Sequence, residues 1–105
     1  MSKYFTIQNG LRGCYYPDSS SVVRVDTRRE LKEALHDAIA NCTEARYNKR
    51  DVASLAAEMW RDAQSTRPAY LPRAFPMPDN RAYAVFISTA TRRDYVDYCR
   101  ETEGF

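Results

Sequence analysis

Residues 21–31 are Ser-Val-Val-Arg-Val-Asp-Thr-Arg-Arg-Glu-Leu, and this stretch predicts a strand that leads directly into a helix. Its first six residues alternate in polarity, with Val23 and Val25 facing inward, as in a half-buried strand. Thr27 and Glu30 then have the spacing of a capping box, in which the hydroxyl accepts a hydrogen bond from a helical amide and the glutamate reaches back. The chain therefore contains both strands and helices.

Two more strands are predicted on the N-terminal side of this stretch. Residues 3–8 alternate between apolar and polar side chains, and Asn9-Gly10 is a dipeptide suited to a tight turn. Residues 14–16, which are Cys-Tyr-Tyr, predict a second strand that ends at Pro17. The strand over residues 21–26 is then the third.

Two amphipathic helices are predicted after the third strand. The first has an apolar stripe made of Leu31, Leu35, Ala38, Ile39 and Cys42. Asn48 is a suitable N-cap for a second helix. The apolar positions of that helix recur with helical spacing at Val52, Leu55, Ala56, Met59, Trp60 and Ala63.

Residues 65–80 hold four of the five prolines, a density that neither a helix nor a central strand tolerates. They predict a long loop, which either packs over the domain or contacts a partner. Residues 81–88 are apolar on both faces and predict a central strand. Thr91 then begins a final helix, whose inward side is expected to carry Tyr95, Val96, Tyr98 and Cys99.

The predicted order is β-β-β-α-α-loop-β-α in a single globular domain over residues 1–105. This order favours the α+β class, with a mostly antiparallel sheet of about four strands and three helices packed on one face. No apolar stretch reaches the roughly 18–20 residues of a spanning helix. We expect no membrane association.

Charge and cysteine content exclude several classes of protein. The chain has 16 basic and 14 acidic residues, a net charge of +2, which is too balanced for a committed nucleic-acid binder and excludes an acidic DNA mimic. Cys14, Cys42 and Cys99 are widely spaced, so no zinc site or cofactor is expected. The N-terminus lacks a signal-peptide core. Reduced thiols and this N-terminus predict a cytoplasmic protein.

No catalytic motif is present in the sequence. His36 is the only histidine, and the chain has neither a nucleophile elbow nor a phosphate-binding glycine loop. We therefore expect a protein that is not an enzyme. A small enzyme that uses His36 or one of the cysteines is a further hypothesis.

Arginines near predicted helix starts are the first candidate contact surface. Arg28, Arg29, Arg92 and Arg93 all follow a capping threonine, where cations oppose the helix dipole. Local stability therefore does not require them. If the two helices start at one edge of the sheet, the four side chains converge and suit a phosphate or an acidic protein patch. Scattered surface charge is the alternative.

The first predicted hairpin is the second candidate contact surface. Arg12 lies between two glycines and is followed by Tyr15 and Tyr16. Tyrosine and arginine are favoured in binding hot spots. Alternatively, the two tyrosines pack on the sheet.

Several stretches resemble small phage and mobile-element proteins of unassigned function. They are Gly-Leu-Arg-Gly-Cys-Tyr-Tyr-Pro-Asp at residues 10–18, residues 22–25, residues 27–32, Pro-Ala-Tyr-Leu-Pro at 68–72 and Ala-Thr-Arg-Arg-Asp-Tyr at 90–95. A compact domain without an active-site signature is also similar to anti-CRISPR and other anti-defence proteins of phages. The resemblance implies a non-catalytic inhibitor and assigns no functional residue.

The leading hypothesis is an inhibitor that docks on a host protein or ribonucleoprotein complex through these arginines and tyrosines. The alternative is a small nucleic-acid-binding protein that contacts phosphates with arginine and stacks tyrosine on bases. The sequence leaves the partner and the oligomeric state open.

Overall fold

The computed structural model describes residues 2–11, 21–64 and 72–103. Within these residues the chain forms four strands and three helices, which are β1 (Lys3–Leu11), β2 (Ser21–Val25), α1 (Arg28–Ala40), α2 (Lys49–Ala63), β3 (Arg73–Pro76), β4 (Tyr83–Ala90) and α3 (Arg92–Glu103). The strands form an antiparallel sheet in the order β2-β1-β4-β3. The expected α+β class, four-stranded antiparallel sheet and three helices are confirmed.

Strand β1 lies between β2 and β4 and is antiparallel to both. Lys3 pairs with Val25 on one side, and Tyr4 pairs with Ala90 on the other. Strands β2 and β4 therefore run in the same direction and end where β1 begins. We call this end of the three strands, marked by Lys3, Val25 and Ala90, the helix-start edge, because α1 and α3 both begin within three residues of it.

One face of the sheet carries the hydrophobic core. Phe5, Val85 and Ile87 are fully buried there, and α1 and α2 cover them with the stripes that the sequence predicted. Six residues of these two helices are buried in the same cluster, namely Leu31, Leu35, Ile39, Val52, Ala56 and Met59. Burial of each of the larger side chains among them contributes about 1.5–3 kcal/mol, so this helical layer supplies much of the fold's stability.

Helix α3 lies on the opposite face of the sheet, which differs from the expectation of three helices on one face. The Tyr95 ring packs on Tyr4, with ring centroids 5.5 Å apart, and Tyr4 faces away from Phe5 because side chains alternate along a strand. The core face is already filled by α1 and α2. Val96, expected on the inward side, is instead 36% exposed.

The proline-rich segment contains an edge strand where a continuous loop was expected. Phe75 pairs with Val85, and the Met77 amide donates to the Tyr83 carbonyl over 2.9 Å. The backbone of every second residue therefore faces β4, and the nitrogen of Pro76 faces away from it. A proline is tolerated at such a position because no hydrogen bond is lost.

Two expectations for the N-terminal hairpin have different outcomes. The predicted turn at Asn9-Gly10 is wrong, because β1 continues to Leu11 and Gly10 pairs with Ala84 of β4. Pairing with a long neighbouring strand overrides the local turn preference of this dipeptide. The predicted strand over residues 14–16 lies outside the described residues.

Both predicted threonine caps are present. The Glu30 amide donates to the Thr27 hydroxyl over 3.2 Å, and Glu30 Oε2 accepts from the Asp26 amide over 3.2 Å. At α3 the box is fully reciprocal: the Asp94 amide donates to the Thr91 hydroxyl, and the Thr91 amide donates to Asp94 Oδ2. These bonds satisfy amides that a helix start otherwise leaves unpaired.

Removal of the two caps should have different consequences. We expect Thr27→Ala to lower the global free energy of unfolding by about 1 kcal/mol, because α1 is part of the core. Thr91→Ala should mainly increase local opening of α3, where Tyr95 is only half-buried. Urea unfolding and amide hydrogen exchange measure the two effects. Equal losses of the global free energy of unfolding in the two variants, with unchanged amide hydrogen exchange in α3, would contradict this prediction.

Candidate interaction surface

The four candidate arginines of the helix starts lie at one edge of the sheet. Arg28 and Arg29 begin α1, and Arg92 and Arg93 begin α3. Because β2 and β4 are separated by β1, their ends are about 10 Å apart. The two helices then continue on opposite faces, so the arginine pairs share the helix-start edge but lie on different sides of it.

Within each pair, one arginine has an acidic partner one turn along the helix. Arg29 Nε lies 3.3 Å from Glu33 Oε1, and Arg93 Nε lies 4.0 Å from Asp97 Oδ2. Neither Arg28 nor Arg92 forms a salt bridge within residues 2–11, 21–64 and 72–103. The exposed guanidinium of Arg28 remains available for a contact.

A small polar network joins the beginning of β1 to the end of β2. Arg24 Nε donates to the Ser2 hydroxyl over 2.9 Å, and that hydroxyl donates to Asp26 Oδ1 over 2.6 Å. Nothing in the local sequence identifies this contact, because Ser2 and Asp26 are 24 residues apart. The network helps to fix the edge from which α1 starts.

A groove of about 630 Å³ lies between α1 and α2. Its lining consists of Thr27, Arg28, Arg29, Lys32, Ala53, Ser54, Ala56 and Ala57. We call it the basic groove, because its α1 wall carries three cations and its α2 wall carries only small side chains. The sequence singled out Arg28 and Arg29, but not Lys32, Ala53 or Ala57.

The carboxylates of α2 lie on the other side of that helix. The Arg73 guanidinium of β3 forms ion pairs with Glu58 and with Asp62, the second at 3.0 Å. Asp51, Glu58 and Arg81 line an adjoining pocket of about 450 Å³ beside β3, which shares Ser54 with the basic groove. None of the residues that line the basic groove is acidic. The carboxylates of α2 therefore lie outside the lining of the basic groove.

Burial and neighbouring cations both act on His36, farther along the same pair of helices. Its Nδ1 atom lies 3.2 Å from the Tyr47 hydroxyl. Burial lowers the pKa of His36 from its ordinary value of 6.5, and the nearby positive charges of Lys32 and Lys49 lower that pKa further. Asp37 acts in the opposite direction. Cations of both helices therefore act on one ring.

Two of the groups considered for catalysis, His36 and Cys42, have structural partners. Asn9 Nδ2 donates to Cys42 Sγ over 2.9 Å, just beyond the C-terminal end of α1. His36 contacts Tyr47 as described. In the part of the chain that the structure describes, no group of three His, Cys, Asp or Glu side chains is placed to hold a metal ion.

The second candidate surface falls outside the structural description. Arg12, Tyr15 and Tyr16 lie beyond the described residues, as does Cys14. Their role stays a prediction of the sequence.

Comparison of the chain with family models, with curated proteins and with solved structures gives no match. Among the described residues, no helix has the length and apolar character needed to cross a membrane.

The pKa of His36 responds to Lys32, which lines the basic groove, although burial is the larger cause of its lowering. Since its folded pKa lies below 6.5, its contribution to stability is full above that pH and is lost as the pH falls through the folded pKa. We expect Lys32→Gln to raise the pKa of His36, as read from the single histidine in an NMR titration. Glu33→Gln is a control on the neighbouring position. A His36 pKa at or above 6.5 in the unsubstituted protein would contradict the predicted lowering of that pKa.

Proposed function

We propose that this chain is a non-catalytic inhibitor that binds a host protein complex, and that the basic groove is its principal contact surface. The wider role, that of a phage anti-CRISPR or anti-defence protein, rests on the similarity in size and character to such proteins, which are compact domains without an active-site signature. In that role the bound complex is a host defence assembly, blocked at its partner or nucleic-acid site. The proposed site of action is the cytoplasm of the host cell.

The clustering of three cations in a groove whose lining contains no carboxylate is the observation that supports this proposal. Arg28, Arg29 and Lys32 face a wall of small side chains, whereas the carboxylates of α2 lie beside β3. A protein with a net charge of only +2 thereby presents a local cationic surface. Such a surface favours encounter with an acidic partner and excludes basic ones.

The test is capture of a defined complex from host lysate, before and after nuclease treatment, followed by affinity measurement with the purified complex. We expect Arg28→Glu combined with Arg29→Glu to weaken binding at least about tenfold, or about 1.4 kcal/mol. The matched control is Arg81→Glu combined with Arg100→Glu, which changes the net charge equally at two other exposed positions. Equal losses in the two double variants, or no loss in the first, would reject the groove as the contact surface.

Nucleic-acid binding is the second candidate function, because the guanidinium of Arg28, which has no salt bridge among the described residues, also suits a phosphate oxygen. Ionic strength separates the two functions. Phosphate neutralisation makes affinity fall steeply with salt, by a logarithmic slope of about −0.9 per phosphate contact on duplex DNA. A partner that disappears after nuclease treatment, with such a slope for the purified protein, would favour nucleic acid over a host protein.

A further inference from the structure

We infer that the basic groove receives an acidic α-helix from the partner, so that the bound helix becomes the third member of a layer with α1 and α2. This inference rests on the proposed function and specifies the kind of partner surface. It is carried by the small side chains of the α2 wall, by the spacing of the cations on the α1 wall and by the kind of backbone that lines the groove.

The small side chains of the α2 wall suit the close approach of a helix. The α2 wall consists of Ala53, Ser54 and Ala57, with Ala56 buried at its floor. Helices pack with the ridges of one in the grooves of another, at interaxial distances of about 8–10 Å, and small side chains permit the shorter distances. Ala53 and Ala57 are one turn apart and leave room along α2 for such an approach.

The cations of the α1 wall have the spacing of a helical ladder. Arg28 and Lys32 are four residues apart on α1, so their Cβ atoms are separated by about 6 Å. Carboxylates four residues apart on a partner helix have the same separation. A helix aligned with α1 therefore presents one carboxylate to each cation, while its apolar side faces the alanines of α2.

An extended peptide fits this groove less well than a helix. An added strand gains most of its affinity from backbone hydrogen bonds to an exposed sheet edge. Both walls of the groove are helices, α1 and α2, whose backbone groups are already bonded internally. An extended acidic chain would keep its charge contacts but would have no backbone partner there.

The experiment uses the full chain and two peptide probes of equal composition. The first is a helical peptide of about 16 residues with glutamates four residues apart on one face and alanine and leucine on the other. In the second, the glutamates are redistributed around the helix. We expect the first peptide to bind at least about tenfold more tightly in fluorescence anisotropy at physiological salt.

Two substitutions in the basic groove test whether the peptide binds there. Ala57→Trp fills the groove without a change of charge, and Lys32→Glu reverses one cation at the surface. Both should weaken binding of the first peptide by about tenfold or more. Val96→Trp is the matched control, because Val96 lies exposed on α3, across the sheet from the groove. Circular dichroism and thermal unfolding establish that each variant is folded.

Three results would overturn the inference. They are equal affinity for the two peptides, unchanged affinity in folded Ala57→Trp and Lys32→Glu, and displacement of the first peptide by duplex DNA at lower concentration than by free peptide. Failure here is separable from failure of the proposed function. If a captured host complex still loses affinity in the Arg28 and Arg29 double variant, protein binding stands and only the helical partner is rejected.

Discussion

The antiparallel pairing of β1 with both β2 and β4 determines the edge of the sheet at which α1 and α3 begin. A strand paired in this way on two sides makes its neighbours parallel to each other, so both end at the edge where β1 begins. Each of those neighbours leads into a helix after two residues or one. The helix starts, with their arginines, are therefore brought to one edge by the hydrogen-bond ladders of the sheet and not by any attraction between the arginines.

Local signals predicted the elements whose structure depends on neighbouring residues. The caps at Thr27 and Asn48 and the apolar stripe that includes Leu35 were readable because their partners lie within one or two turns. The sequence failed where a distant strand decides the outcome. Gly10 is held in β1 by β4, and Phe75 is drawn into a strand by Val85, although each lies in a stretch with strong turn or loop character.

The candidate surface was predictable to the same extent. Arg28 and Arg29 stand out in the sequence because cations at a helix start need a reason other than local stability. The opposite wall of the basic groove could not be predicted from the sequence, because Ala53 and Ala57 line a groove only when α2 packs beside α1. The face of the sheet on which α3 packs depends likewise on which face α1 and α2 already cover. A short sequence pattern does not contain that information.

The edge strand β3 also limits how molecules of this protein can associate. Among residues 72–76, the backbone groups that face away from β4 belong to Pro72, Ala74 and Pro76, so Ala74 supplies the one amide hydrogen on that side. A strand from another molecule would find almost no donors to pair with. Between residues 72 and 76 this edge of the sheet is therefore a poor template for cross-β growth, because it offers carbonyl acceptors but a single amide donor.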